Sequence, residues 1–326
     1  MNKNAKCIIL ILMTLILVSC NNKTTAPDGA EKKVDIYVAG HFNYNAALWV
    51  NGKKQLLSSD EGFTRAFAVF VSGNNVFVTG ENHWKATMWI NGNERTLSGY
   101  YSYARSVFIY RNDVYVAGEK RDGIVLNKAT LWKNDEPQIL SNYVSGAWSV
   151  YILNNETFVV GWSAEDEYTS KATLWKNGEM QILSSYTSNA TSVFVSGNDV
   201  YATGWIRDVE RGSELGSATL WKNGVAQILS NSHSSATSVF ISGRDVYVAG
   251  WVDMTATLWV NGVQQTLSYD SSIATSVYVD RADVYVSGII WDEDGHFSRA
   301  TLWKNGIARI LSEYYSWAYS VFVISR

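Results

Sequence analysis

Short apolar segments alternate with polar turns along almost the whole chain. Segments such as TSVFI at 237–241 and DVYVA at 245–249 are rich in Val, Tyr and Phe and are bounded by Gly, Asn and Ser. Apolar residues at helical spacing do not recur in them. Five-residue segments of this composition, closed by turn residues, predict β-strands.

One unit of sequence occurs seven times. Each copy holds a segment like DVYVAG, which begins at residues 35, 75, 113, 156, 199, 245 and 283, so the spacings are 38 to 46 residues. Each copy also holds AALW, ATMW or ATLW, ending at Trp49, Trp89, Trp132, Trp175, Trp221, Trp259 and Trp303. Periods of this length are typical of β-propellers and solenoids.

Four strands fit within one unit. In the fifth copy we predict strands a to d at Thr191–Ser196, Val200–Gly204, Ala218–Lys222 and Ala226–Ser230. Six of the seven units place Asn-Gly between strands c and d, and the third has Asn-Asp. Asn-Gly tolerates the positive φ angles of a type I′ hairpin, so each unit is predicted to be an antiparallel sheet.

The order SVFVSGNDVYVAG, ATLWKNG, QILS resembles the blades of WD-repeat and kelch-like β-propellers over residues 35–326, although the WD dipeptide and the Gly-His element are missing. It is also similar to bacterial repeat lipoproteins, a resemblance that implies no activity. We predict an all-β, seven-bladed β-propeller of four-stranded antiparallel blades, closed by pairing of the N-terminal strand (Ile36–Gly40) with the C-terminal one (Tyr319–Ile324). The alternative is a solenoid, which would leave the last strand unpaired.

The first residues have the features of a lipoprotein signal. Lys3 and Lys6 precede an apolar run from Cys7 to Ser19, which is too short to span a bilayer, and Leu17-Val18-Ser19-Cys20 resembles the bacterial lipobox. We predict a signal peptide at 1–19, a lipidated Cys20, a tether over 20–34 and a propeller over 35–326. The alternative is an ordinary signal peptide in which Cys20 has no role. The expected location is the bacterial cell envelope, with the domain facing the periplasm or the cell exterior.

Charge and cysteine content narrow the function classes. Cleavage after Ser19 would change the net charge from −3 to −5, and the sequence has no basic run, so nucleic acid is not an expected partner. The two cysteines, Cys7 and Cys20, leave no disulfide framework and no cysteine metal site after processing. We expect a monomer that binds no cofactor.

One face of the propeller is the expected binding face, because its b–c and d–a connections vary while the other turns are short and uniform. These connections are rich in Tyr, Ser, Asn and Trp, a mixture suited to stacking on sugar rings and to hydrogen bonding of hydroxyls. The predicted ligand-binding residues are Trp162, Trp205, Trp251, Trp291, Tyr101, Tyr143, Tyr186 and Tyr315.

Several of these aromatic and polar residues also have structural interpretations. The seven repeat tryptophans are expected to form inter-blade core. The serine before valine in strand a (Ser106, Ser149, Ser192, Ser238, Ser276, Ser320) is expected to be structural or to line the central channel. Trp162, Trp205 and Trp251 each follow the glycine of strand b and are alternatively packing residues.

No sequence motif for catalysis or metal binding is present. The four histidines fit no catalytic pattern, and WDEDG at 291–295 lacks the ligand spacing of a calcium loop. We expect the acidic loops (165–167, 208–214 and 292–294) to be solvated, with no metal site. The sequence therefore favours a non-enzymatic lipoprotein that binds a glycan. The alternatives are a scaffold for envelope proteins and a carbohydrate-active lyase or hydrolase built from loop carboxylates.

Overall fold

The computed structural model describes residues 33–58, 62–122, 126–165, 169–207 and 216–326. The predicted signal peptide, Cys20 and nearly all of the predicted tether lie outside these residues, as do acidic residues 166–167 and all of the 208–214 segment. No described residue belongs to a helix long and apolar enough to cross a bilayer.

The described chain folds into seven four-stranded antiparallel sheets, here called blades 1 to 7, and has no helix. Blade 1 joins the two ends of the domain: β28 (Ser316–Ser325), β1 (Val34–Phe42), β2 (Asn45–Val50) and β3 (Lys53–Leu56). Blade 2 contains β4 (Thr64–Ser72), β5 (Asn75–Asn82), β6 (Lys85–Ile90) and β7 (Asn93–Tyr100). Blade 3 contains β8 (Ser102–Tyr110), β9 (Asp113–Asp122), β10 (Leu126–Lys133) and β11 (Glu136–Ile139).

The other four blades repeat this order. Blade 4 contains β12 (Val144–Leu153), β13 (Glu156–Ala164), β14 (Lys171–Lys176) and β15 (Glu179–Ile182). Blade 5 contains β16 (Thr187–Ser196), β17 (Asp199–Arg207), β18 (Ser217–Lys222) and β19 (Val225–Ile228). Blade 6 contains β20 (Ser234–Ser242), β21 (Asp245–Val252), β22 (Thr255–Val260) and β23 (Val263–Thr266), and blade 7 contains β24 (Ser272–Asp280), β25 (Asp283–Trp291), β26 (Ser298–Lys304) and β27 (Ile307–Ser312).

The blades form a closed ring. The first strand of every blade, strand a, contacts strand a of both neighbouring blades, so the seven a strands surround a central channel. β28 pairs with β1 along its length, from Val34 opposite Ser325 to Phe42 opposite Ser316. The predicted seven-bladed propeller and its closure by the terminal strands are confirmed, and the solenoid is excluded because the last strand is paired.

The repeat tryptophans form the core between blades, as predicted. All seven have at most 1% of their surface exposed. In β18, Trp221 packs with Val193 and Ala202 of its own blade against Phe158 and Leu174 of blade 4. The glycine of strand b makes room for this packing. A Cβ atom on Gly40 would lie 1.8 Å from the carbonyl oxygen of Trp317 and 3.0 Å from Cζ3 of Trp49.

Hydroxyl groups join each blade to the next at two levels. At the start of strand a, a buried Ser or Thr accepts a hydrogen bond of 2.7–2.9 Å from an alanine N–H in strand c of the preceding blade at all seven interfaces. Nearer the middle of strand a, each predicted serine accepts a hydrogen bond of 3.2–3.4 Å from a valine N–H of the following blade. Blade 2 has Ala68 at this second position. These serines are therefore both structural and part of the channel wall, as the sequence suggested.

Candidate ligand-binding site

A cavity of about 430 Å³ occupies the central channel. Its wall is made by residues of the seven a strands, and Arg65 and Arg105 are the charged residues in it. The channel serines and three threonines supply hydroxyl groups, while Phe67, Trp148 and Tyr319 supply aromatic rings. Its volume lies within the range of small-molecule pockets.

A β-bulge in each blade directs one residue of strand a into the cavity. The register between strands a and b shifts at this point in all seven blades, and a bulge re-aims the extra side chain. The type of bulge residue differs between the two halves of the ring. Blades 5, 6 and 7 have Thr191, Thr237 and Thr275, while the other four have Tyr319, Phe67, Arg105 and Trp148.

The threonine half of the cavity is internally satisfied. The Thr191 hydroxyl lies 2.8 Å from the carbonyl oxygen of Ala236 and 3.0 Å from that of Thr203, and Thr237 and Thr275 make equivalent contacts. These hydroxyls join blades rather than face a ligand. The opposite half, in blades 1 to 4, therefore contains the groups available for recognition.

Two buried carboxylates hold the cavity arginines in place from behind. Arg65 Nε lies 2.6 Å from Glu81 Oε1, and Arg105 Nη2 lies 2.8 Å from Glu119 Oε1. Glu81 has no exposed surface, and burial raises its pKa while the Arg65 charge partly opposes this rise. Neither carboxylate is part of the cavity wall. Each carboxylate thus holds in place one guanidinium group of the cavity wall.

Arg105 lies among three aromatic rings. Its guanidinium carbon is 4.5 Å from the Trp148 ring centroid, 4.6 Å from that of Tyr103 and 4.8 Å from that of Phe67. Arg105 Nε and Trp148 Nε1 are buried and have no hydrogen-bond partner among the described residues. Buried donors are nearly always paired in folded proteins. The seven inter-blade tryptophans also have an Nε1 without a partner in the described part of the chain, so a missing partner does not by itself mark a ligand site.

A belt of aromatic residues constricts the channel on the side of the a–b turns. Each ring contacts the equivalent ring of both neighbouring blades at 4.8–5.2 Å between centroids, and the contacts close around the axis. The belt consists of Phe70, Phe108, Tyr151, Phe194, Phe240, Tyr278 and Phe322. Each belt residue follows the bulge residue by three positions, about 10 Å along the strand. The belt lies between the cavity and the a–b turns, and none of its residues is part of the cavity wall, which extends toward the b–c connections through Arg65 and Trp317.

A second group of aromatic rings lies on the face toward which the cavity extends. This aromatic arc runs over blades 7, 1, 2 and 3, and its neighbouring ring centroids are 5.0–6.3 Å apart. The arc consists of Phe297, Tyr314, Tyr315, Tyr44, Phe63, Trp84 and Tyr103. Tyr44 is 53% exposed and Trp84 is 45% exposed. The arc reaches the cavity through Tyr103 beside Arg105 and Phe63 beside Arg65.

Four arc residues occupy a backbone conformation that glycine normally takes: Tyr314 and Tyr315, with φ of 48° and 43°, and two residues in b–c turns. Asn43-Tyr44 and His83-Trp84 form two-residue b–c turns, in which Tyr44 and Trp84 both have φ of 63°. The c–d turns place Gly52 or Gly92 at the corresponding position. A positive φ at a bulky residue is unfavourable by about 1–2 kcal/mol. The chain therefore places large exposed rings at positions where glycine would be more stable.

The tryptophans predicted from the sequence lie inside strands rather than in loops. Trp162, Trp205 and Trp251 are half-buried in strand b of blades 4, 5 and 6, because that strand continues beyond its glycine. None of the three is in the cavity wall. Trp291 ends β25 and lies edge-on to Trp317 of the cavity wall, with 6.0 Å between ring centroids.

The predicted tyrosines lie in the d–a connections and are exposed. Tyr315 is part of the aromatic arc. Tyr101 is covered by the Arg121 guanidinium at 3.9 Å from its ring centroid. Tyr143 and Tyr186 precede strand a of blades 4 and 5 and are outside the arc. The structure thus brings one of the eight predicted residues into the arc and one against the cavity wall.

The acidic segment at 291–295 forms a turn. Asp292 Oδ1 accepts hydrogen bonds from the N–H groups of His296 and Phe297, which hold the pKa of its carboxyl below its usual value. Among the described residues, no group of three or more His, Cys, Asp or Glu side chains is placed to hold a metal ion.

Sequence reasoning missed the cavity residues Arg65, Phe67, Arg105, Trp148 and Tyr319. A signal was present for all but Arg65, because the other four stand at the strand-a position where three blades have threonine; Arg65 lies two residues before that position. The signal is a departure from the repeat. Only the bulge shows that this position points into the channel.

Known structures share this fold at low sequence identity. The β-propeller domain of the Trilobed protease from Pyrococcus furiosus, which has an open velcro topology, is 12% identical with a TM-score of 0.53, over 86% of this chain and 95% of that one. A puromycin-hydrolyzing peptidase from Mycobacterium tuberculosis is 9% identical with a TM-score of 0.54, over 85% of this chain and 53% of the peptidase. TolB from Acinetobacter baumannii is 9% identical with a TM-score of 0.47, over 74% of this chain and 65% of TolB.

The present chain thus spans about two thirds of TolB and about half of the peptidase. No protein-family model and no curated protein sequence matches the chain. At these identities the similarity concerns the fold alone. The chain is a seven-bladed β-propeller whose terminal strands pair, in contrast to the open velcro of the archaeal domain.

Proposed function

We propose that this protein is a non-enzymatic glycan-binding lipoprotein of the bacterial cell envelope. The observation that carries the proposal is the exposure of Tyr44 and Trp84 on strained turns within a continuous aromatic arc. Backbone strain of this kind is retained where the side chain has a role. Rings spaced 5–6 Å apart give a surface on which successive sugar rings can stack.

Binding is favoured over catalysis by the state of the nearby carboxylates. A glycosidase needs two carboxyl groups that flank the scissile bond. Among the described residues, Glu81 and Glu119 pair with the cavity arginines and lie behind the wall, so neither is free to flank a bond in the cavity. The peptidases that share the fold do not change this argument, because their likeness to this chain is one of fold.

The turns supply a matched test of glycan binding. We would replace Tyr44 and Trp84 by glycine in the full chain, purify it in detergent and measure binding to a panel of immobilised polysaccharides. Glycine removes the rings and also relieves the positive φ, so the domain should remain folded. Met254→Gly is the control, because Met254 occupies the same turn position in blade 6 with φ of 60° and lies outside the arc.

We expect the wild-type protein and Met254→Gly to bind the same polysaccharide, and the Tyr44→Gly/Trp84→Gly protein to bind it about tenfold more weakly or less, since each stacked ring contributes about 0.5–1.5 kcal/mol. If the wild-type protein bound no polysaccharide, the proposal would fail. Crosslinking to an envelope protein through the arc would then support the scaffold alternative.

The anchor is a separate part of the proposal. Residues 1–19 would direct export, and lipid on Cys20 would hold the propeller at a membrane. Cells expressing the protein would be labelled with a palmitate analogue. We expect label on the wild-type chain and none on Cys20→Ser. Equal labelling of both chains would refute lipidation at Cys20.

A further inference from the structure

The charges of the cavity select among glycans. Both charged residues in the wall are arginines, and their partner carboxylates are set back from it. Two fixed guanidinium groups on neighbouring a strands match the planar oxygens of a carboxylate, to which arginine can donate two parallel hydrogen bonds. A neutral sugar would leave these donors without a charged acceptor.

The size and position of the cavity favour the end of a glycan chain over its middle. The aromatic belt narrows the channel on the a–b side, whereas the arc lies on the b–c side, so a glycan that stacks on the arc would reach the cavity from the b–c face. A polysaccharide lying across this face would place at most a terminal sugar in about 430 Å³. The sugars before it would then lie over Tyr103, Trp84 and Phe63, which form the end of the arc beside the cavity.

From these features we propose that the cavity binds the terminal acidic sugar of a glycan, with the sugar carboxylate on Arg65 and Arg105. This inference rests on the proposed glycan-binding function and adds the ligand class. Each channel serine accepts a hydrogen bond from a valine N–H and keeps its own O–H, which would donate to a hydroxyl group of the sugar.

The Arg–Glu pairs explain how this site is stable when it is empty of ligand. A buried arginine without a counter-charge would destabilise the fold. Glu119 and Glu81 provide that charge from outside the cavity. Arg65 and Arg105 are the cations that face Glu81.

The test compares each acidic oligosaccharide with its own neutral form. Oligosaccharides of galacturonate, of mannuronate and of hyaluronan would be titrated into the full chain in detergent, alongside the same compounds after reduction of their carboxyl groups to alcohols. We expect at least one acidic form to bind about tenfold or more tightly than its reduced counterpart, because the reduced form cannot pair with arginine.

Charge-neutral double variants then locate the effect. Arg65→Gln/Glu81→Gln and Arg105→Gln/Glu119→Gln each remove one cation and one anion, so the net charge of the protein is unchanged. We expect each to reduce the preference for the acidic form by about tenfold, which is the loss of one charged contact. Arg95→Gln/Asp135→Gln, which removes an ion pair on the surface, is the matched control and should keep the preference.

The outcomes separate the two proposals. Binding of neutral polysaccharides with no preference for any acidic form would overturn the inference and leave glycan binding intact. Failure to bind any glycan would overturn both. If the double variants did not fold, the comparison of acidic and reduced ligands on the wild-type protein would still decide the ligand class. An acidic preference that survives in both folded variants would refute the role of these arginines.

Discussion

Blade 2 lacks the channel serine that the other six blades have, and introducing a serine there should increase the stability of the protein. Six blades carry a serine whose hydroxyl accepts a hydrogen bond from a valine N–H of the next blade. Blade 2 has Ala68, so the N–H of Val107 in blade 3 lacks this bond. Ala68→Ser restores the seventh bond on a backbone that already has the required register, since Ala68 lies opposite Thr79 as Ser192 lies opposite Thr203.

The magnitude follows from the geometry of the six existing bonds. Their lengths of 3.2–3.4 Å lie at the long end of the range for N–H···O bonds. A typical intramolecular hydrogen bond contributes about 0.5–1.5 kcal/mol net, so we expect about 0.5–1 kcal/mol. In a domain of this size such a gain raises the melting temperature by about 1–3 °C.

Urea denaturation followed by tryptophan fluorescence would measure this difference, because the repeat tryptophans lie between blades. Ser192→Ala is the matched reverse change, which removes one bond between blades 5 and 6 and should lower the stability by a similar amount. Because the two sites lie in different blades without a shared partner, the double variant should return to the wild-type value. If Ser192→Ala lowered the stability but Ala68→Ser did not raise it, the stabilising role of this hydroxyl in blade 2 would be refuted.

Three further changes test the core, the interfaces and the pH response, each measured by urea denaturation. Trp221→Ala should cost about 3–5 kcal/mol, because it leaves a large cavity between blades 4 and 5, and an unchanged midpoint would refute the core assignment. Ser188→Ala should cost about 1–3 kcal/mol, because it leaves the buried N–H of Ala172 without its 2.9 Å acceptor; equal stability would show that this bond contributes nothing. Burial and the nearby Arg65 charge lower the pKa of His41 to about 4 in the folded protein. As the pH falls, His41 therefore takes up a proton in the unfolded chain before it does so in the folded one. The free energy of unfolding should fall by up to about 3 kcal/mol as the pH drops from about 6.5 to 4. His41→Phe should lack this loss, and equal losses in both proteins would refute it.

Much of the fold follows from local features of the sequence. Seven copies of a unit with four short apolar segments, joined by Asn-Gly turns, determine seven antiparallel blades. The turn residues adopt the expected conformation, with φ of 53° at Asn51 and 83° at Gly52. The buried tryptophans could also be predicted, because a large apolar residue at the same place in every unit must pack against the neighbouring unit.

The candidate site could not be predicted in the same way. Repetition drew attention to residues shared by several blades, such as Trp162, Trp205 and Trp251, which the structure places inside strand b. The candidate recognition half of the cavity is instead formed by residues that depart from the repeat. Arg105 and Trp148 are 43 residues apart in the chain, and Phe67 and Tyr319 are more than two hundred apart.

The sequence by itself determined the number of blades, the antiparallel order of their strands and the identity of the core residues, because these depend on contacts within a unit or between adjacent units. Tertiary structure decided the rest. Closing the ring brings Tyr315 of the last unit beside Tyr44 of the first. The bulge in strand a turns a single side chain from each blade toward the axis, so that seven positions far apart in the chain share one cavity. Neither the closure distance nor the direction of a bulged side chain is encoded in local residue patterns, because both depend on how all seven sheets pack together.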